Sequence, residues 1–415
     1  MTGTNAVPTP PAERLVVIDV LRGFALLGIL LVNMELFSYP VQRILAPPVL
    51  GEMAAPDQVG TLLVRFLAES KFYSLFSLLF GLGFALLLER LQSRGERFGV
   101  IYTRRLLVLL AFGLVHATLF WVGDILTLYA ILGFGLLLFR KARPRTLLVW
   151  AVIFLLLPVL FYAATAGLLG LGRMEPEAAQ MIDQTFAEQG RLYQQQADEA
   201  MRVYAGGSFG EITRQRLRDL NFITSGYLFL APSVFGMFLI GVWFARTRKF
   251  HDLAASRSYF RKLLWWGLAL GVAGNLMFTY FSETAGNRYE PSGALVLAQL
   301  GQTVGAPMLC LFYLAAITLL YQRPSWERRL RPLASAGQMA LTVYLLQSVI
   351  CTLIFYGYGM GLFGQVSKAA GLLLAVIIYA LLVAFSVYWM QAFRFGPMEW
   401  LWRTLTYWKR QPFRR

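Results

Sequence analysis

RLVVIDVLRGFALLGILLVN, residues Arg14–Asn33, decides the fold. After Arg14 it is apolar except at Asp19, Arg22 and Asn33, and the apolar run that starts at residue 15 continues to about 38. About 20 such residues carry a helix across the hydrocarbon of a bilayer, where only a helix bonds every backbone group within one segment. The same reading, moved outward, gives nine further spans near 72–89, 106–122, 125–139, 146–170, 223–245, 263–281, 296–321, 334–356 and 369–393, the fourth span being short. Over 415 residues the chain is 57% hydrophobic and 14% charged, whereas soluble domains carry roughly 25% charged residues. The expectation is an all-α polytopic bundle of about ten transmembrane helices.

A formal charge of +16 in a soluble protein points to nucleic acid, so the positions of the bases matter. Of the 38 lysines and arginines, 26 fall in Arg14 and in the segments Arg90–Arg105, Arg140–Arg145, Arg246–Lys262, Arg323–Arg331 and Arg394–Arg415, where, counting the adjoining Glu13 and Glu89, only six acids accompany them. These are alternate loops. Under the positive-inside rule they are cytoplasmic, which puts both termini in the cytoplasm and makes anionic lipid headgroups, not nucleic acid, the partners of the charge.

The first 13 residues lack a basic n-region and the run that follows is too long for a signal h-region, so the first span is expected to be retained. The chain then divides into a tail at 1–14, a five-helix half at 15–170, an insertion at 171–222 outside the cytoplasm, a second five-helix half at 223–393 and a basic, aromatic tail at 394–415 suited to the inner interface. Within the insertion Ser208 and Glu211 are spaced as a capping box. The insertion reads either as a solvated helical hairpin or as a lid over an outward-facing site.

Charges inside spans are costly, so they mark candidate chemistry. Asp19 and Arg22 are three residues apart, able to neutralise each other, and Asn33 lies three turns beyond Arg22 at nearly the same angle. This stripe is either an ion pair at the inner interface or a binding site for an anionic group. Gly23 and Gly28 suit close helix packing. Glu69 and Lys71 stand where the chain enters the outer leaflet, a place to meet a lipid or a polar acceptor. His116 lies inside the third span, and imidazole is the side chain best suited to exchange a proton near neutral pH. Asp124, eight residues on, is some 12 Å further along a straight helix and about 80° round, too far to pair with His116; it is expected to cap the fourth span instead. Tyr344, Gln347, Ser348 and Cys351 follow one stripe of the ninth span, for which interhelical hydrogen bonding is sufficient reason. Cys310 and Cys351 sit in apolar runs and give no disulfide framework. The sequence holds no metal-ligand spacing, nucleotide motif or nucleophile elbow.

In their order, RLVVIDVLRGFALLGILLVN, KFYSLFSLLFGLGF (Lys71–Phe84), His116 with Gly123–Leu126, GQMALTVYLLQS (Gly337–Ser348), FYGYGMGLFG (Phe355–Gly364) and FGPMEWLWRTLTY (Phe395–Tyr407) resemble the YeiB family of bacterial multi-pass proteins. That resemblance implies a bacterial inner-membrane protein. The Asp-x-x-Arg-Gly opening, Asp19–Gly23, is similar to that of heparan-glucosaminide acetyltransferase relatives and implies acyl transfer from a cytosolic acyl-CoA such as acetyl-CoA to a sugar, lipid or metabolite. His116 would then be the general base, Arg22 and the inner basic loops would hold the donor phosphates, and Asn33 or Gln347 would donate to the oxyanion. Those relatives carry their working histidine soon after the first span, whereas residues 40–60 here contain none. The competing readings are a transporter or lipid-binding protein, with Asp19, Arg22, Glu69 and Lys71 lining a pathway, and a non-catalytic scaffold; oligomeric state, a homodimer included, stays open.

Overall fold

A computed structural model describes residues 15–44, 53–285 and 290–415; the expected tail at 1–14 lies outside them. The elements are α1 (Val16–Ser38), α2 (Ala55–Leu63), α3 (Lys71–Ser93), α4 (Phe98–Val115), α5 (Leu126–Gly135, prolonged by a 3-10 turn to Phe139), α6 (Pro144–Gly172), α7 (Pro176–Gly206), α8 (Phe209–Arg246), α9 (Arg257–Thr284), α10 (Gly293–Tyr321), α11 (Pro324–Gln338), α12 (Ala340–Phe355), α13 (Lys368–Ala392) and α14 (Pro397–Tyr407). Among the described residues there is no strand beyond one isolated bridge, Phe393 with Arg414. The protein is an all-α bundle of membrane-crossing helices.

Every apolar stretch of the sequence forms helix, but the stretches are not equivalent. Among the described residues eight helical segments are long and apolar enough to cross a membrane, α11 and α12 pass that test only as a pair bent by 77°, and Leu126–Phe139 is a shorter apolar helix. The straight span expected at 334–356 is therefore broken at Met339. The reason lies in what meets the break. α11 is amphipathic and carries the exposed Arg328, Arg329 and Arg331, while the opening N–H groups of α12 are received by a carboxylate from another helix. Glu399 of α14 accepts from Leu341 N (2.6 Å), Thr342 N (3.1 Å) and Thr342 Oγ1 (2.6 Å). Four orphan donors at a helix start need such partners.

α11 is clamped to α1 at backbone distance. A Cβ on Gly23 would stand 2.1 Å from Leu333 O, and one on Gly337 would stand 1.8 Å from Asp19 O; only glycine lets the two helices meet there.

The basic segments converge on one end of the bundle. Arg248 pairs with Glu89 (2.6 Å), Arg246 donates to Arg140 O, and Trp402 Nε1 donates to Arg105 O (2.9 Å) with the Arg105 guanidinium 3.7 Å above the Trp402 ring. At the opposite end α7 and the start of α8 form an antiparallel hairpin whose turn carries the full Ser208–Glu211 capping box. That hairpin is tied to the bundle by Gly357 N to Tyr204 O (2.7 Å), close to where Gly364 N meets Ser38 O (2.8 Å).

Two outcomes test this packing. Gly337→Ala should cost about 1–3 kcal/mol by overpacking against backbone, read as a lower melting temperature of the detergent-purified protein. Burial raises the Glu399 carboxyl above its ordinary value of 4.5, so its protonated form favours the fold; stability should be greatest at acid pH and fall as pH rises through that raised value. Glu399→Gln should flatten this part of the melting-temperature profile against pH.

Candidate active site

α4 does not run straight into its connecting loop. Its last turn widens into a π-turn, His116–Phe120, closed by Trp121 N on His116 O at 2.9 Å, after which Trp121 is extended. Such turns shift side chains off the regular helical angles. Trp121 stacks on Phe37 with ring centroids 4.0 Å apart, and the chain folds back along α4 into α5. Gly113 allows this return, because a Cβ there would meet Thr127 N at 2.5 Å and Asp124 Oδ2 at 3.0 Å.

The turn-back corrects the straight-helix expectation for His116 and Asp124. They pair directly: His116 Nδ1 and Asp124 Oδ1 are 2.8 Å apart. Asp124 also caps α5 as its position suggests, its Oδ2 accepting from Thr127 N at 2.8 Å. The other ring nitrogen, His116 Nε2, is 2.8 Å from Ser348 Oγ of α12. Ser348, His116 and Asp124 form a serine–histidine–aspartate relay in which none of the three is more than 2% exposed. With Asp124 ionised, Nδ1–H donates to the carboxylate and Nε2 is left to accept the Ser348 hydroxyl proton. The Tyr344 ring lies 5.2 Å from the imidazole and Trp121 meets it edge-on at 6.2 Å. Tyr227 of α8 donates its hydroxyl to Asp124 O, holding the loop from the other side.

The remaining residues singled out in the sequence occupy three other places. Asp19 is buried and accepts from Arg22 Nη1 at 2.9 Å, with Arg22 about a third exposed. Arg22 and Arg90 stand close enough to Arg105 for like-charge repulsion, so three guanidiniums gather at the basic end, that of Arg105 lying over Trp402. Asn33 is half-buried on α1. Lys71, expected at the outer leaflet in reach of lipid, lies instead inside the protein at 0% exposure, its ammonium donating to Arg65 O at 2.7 Å. Gln347 is next to Ser348 but its amide nitrogen is engaged with Leu26 O at 3.2 Å, joining α12 to α1. Among the described residues no group of three or more His, Cys, Asp or Glu is arranged to hold a metal ion.

Ser348 is the residue that sequence reasoning passed over. Its helical stripe with Tyr344, Gln347 and Cys351 is visible, but its partner lies 232 residues away, and no spacing rule carries that far.

Comparison with known proteins matches residues 244–409 to the family model described as "Protein of unknown function (DUF418)". "Uncharacterized protein YxaH" of Bacillus subtilis (strain 168) is 37% identical over 98% of this chain and 97% of its own length. "Uncharacterized protein YeiB" of Escherichia coli (strain K12) is 30% identical over 95% of this chain and 96% of its own. The chain belongs to the YeiB family. The family model spans Ser348 but begins after His116 and Asp124, so the relay is assembled across its boundary; the full-length relatives span both sides.

Asp124→Ala removes a helix cap and the partner of a buried imidazole together. The expected loss is about 2–4 kcal/mol, the cap and the stranded donor contributing comparably, measured by thermal denaturation.

Proposed function

We propose that the chain is an integral-membrane acyltransferase carrying an acyl group from a cytosolic acyl-CoA to a hydroxyl or amine of a sugar, lipid or metabolite acceptor at the membrane. The observation that supports this reading is the Ser348–His116–Asp124 relay, two 2.8 Å contacts in a buried site. Serine alone is a weak nucleophile; a hydrogen-bonded imidazole oriented by a carboxylate activates it.

In the first half-reaction Ser348 Oγ attacks the thioester carbonyl while His116 Nε2 takes the hydroxyl proton. The carbon–sulfur bond breaks, the thiolate receives that proton from His116, and an ester is left on Ser348. In the second half-reaction the acceptor hydroxyl or amine gives its proton to His116 and attacks the ester carbonyl. The Ser348 carbon–oxygen bond breaks and His116 returns the proton to Oγ. Asp124 stays ionised, fixing the tautomer and stabilising the imidazolium. Exclusion of water protects the intermediate from hydrolysis.

The basic end suits the donor. Arg22, Arg90 and Arg105 offer charge to the coenzyme A phosphates, with Trp402 beside them. Arg105 and His116 are eleven residues apart on one helix, about 16 Å along its axis, a span that the pantetheine arm bridges. This reading has the basic end and both termini in the cytoplasm of a bacterium, in its inner membrane, and the convergence of the basic segments supports that orientation.

With radiolabelled acyl-CoA and membrane extract as acceptor source, Ser348→Ala and His116→Ala should each lower transfer about 10³-fold or more, and intact-mass measurement should show one acyl adduct on the wild type that Ser348→Ala lacks. Undiminished turnover in either variant removes the relay from the chemistry. Binding of ligand without any transfer favours the transport or lipid-binding reading.

A further inference from the structure

From α8 a second, buried polar cluster meets the π-turn. Arg216 of α8 is 0% exposed. One of its nitrogens, Nη1, donates to Thr118 O within the π-turn at 3.0 Å, but Nε and Nη2 have no hydrogen-bond partner. These two share one edge of the guanidinium, the edge that grips an oxyanion with two parallel hydrogen bonds. The nearest carboxylate does not serve it. Asp219, one turn along α8, is occupied by three neutral donors: Gln42 Nε2 (3.0 Å), Gln215 Nε2 (3.2 Å) and Tyr204 OH (2.9 Å). Those contacts fix both amides, and so leave Gln42 Oε1 and Gln215 Oε1 buried without a donor.

Two donors on one flat edge and two acceptors around the same carboxylate describe a ligand by complement: an oxyanion bearing hydroxyls. A buried guanidinium with an unpaired edge is too costly to be kept for packing alone, and side-chain groups left unsatisfied in a native interior call for an unseen partner. Gln42 stands in the 3-10 turn Val41–Ile44 that follows the end of α1. We propose that Arg216, Gln42 and Gln215 form a binding site for the phosphate of a hydroxyl-bearing polyol headgroup. Its existence does not depend on the chemistry of Ser348; resting on the acyl-transfer reading, it anchors the acceptor beside the relay, since Arg216 holds the turn that carries His116.

The test uses full-length protein in detergent, titrated with glycerol 3-phosphate, with phosphatidylglycerol and, as controls, with glycerol and phosphatidylcholine, followed by melting temperature and native mass spectrometry. A saturable stabilisation by an anionic probe that neither control reproduces is expected. Stabilisation by phosphatidylglycerol alone identifies a lipid headgroup as the source; stabilisation by glycerol 3-phosphate as well identifies a soluble phosphate. Arg216→Lys, which keeps the charge but not the two-pronged edge, should weaken binding tenfold or more, and Gln42→Leu should weaken it at least threefold. Ser348→Ala should bind like the wild type, which separates this site from the fate of the relay. If neither anionic probe stabilises the wild type, buried water fills the cluster and the proposal fails. It fails equally if Arg216→Lys binds undiminished or, should that variant not fold, if Gln42→Leu does.

Discussion

A helix that ends inside an apolar medium must hand its last backbone groups to something other than water, and the interior of this protein is organised by that demand. Two of the apolar helices, α5 and α12, are too short to cross alone, and their starts are buried in the protein. α12 begins on Glu399, sent in from the amphipathic α14. α5 begins on Asp124. The end of α4 widens into a π-turn and gives one of its carbonyls, that of Thr118, to Arg216. In each case the partner is an ionisable side chain buried in the protein, and two of the three stand at or next to the relay. The polar interior is thus a by-product of broken helices and a resource for chemistry.

The fold was largely legible because membrane helices obey one strong rule. Apolar length found the membrane helices from 16–38 to 368–392, with most of their ends, though α4 and α8 begin well before the apolar runs that announced them, and the distribution of Lys and Arg anticipated the convergence of loops that Arg248–Glu89 and Arg105–Trp402 make visible. What it did not reveal were interruptions. Length alone cannot distinguish one straight span at 334–356 from a surface helix and a half-buried one, since the distinction rests on a glutamate 57 positions downstream of Thr342.

The site was legible in its composition and not in its assembly. His116 stands out as one of two histidines, and Asp124 as an acid at a turn. Their pairing escapes a helical-wheel argument because the π-turn and the extended Trp121 abolish the regular geometry on which such an argument depends. Ser348 and Arg216 escape it for opposite reasons. A serine in a membrane helix is unremarked, its partner supplied from another helix; an arginine in a polar hairpin looks solvated, and only tertiary packing removes it from water.

Asp124 has two duties, one oxygen for the fold of α5 and one for the imidazole. The fold of α5 therefore gives the carboxylate a structural reason to be there that is independent of any chemistry. Ser348 is under no such obligation: alanine at 348 is an excellent helix former, and the hydroxyl caps nothing. Under the acyl-transfer reading, the nucleophile is therefore the one member of the relay whose loss would leave the fold untouched, so the hydroxyl at position 348 would report on chemistry alone.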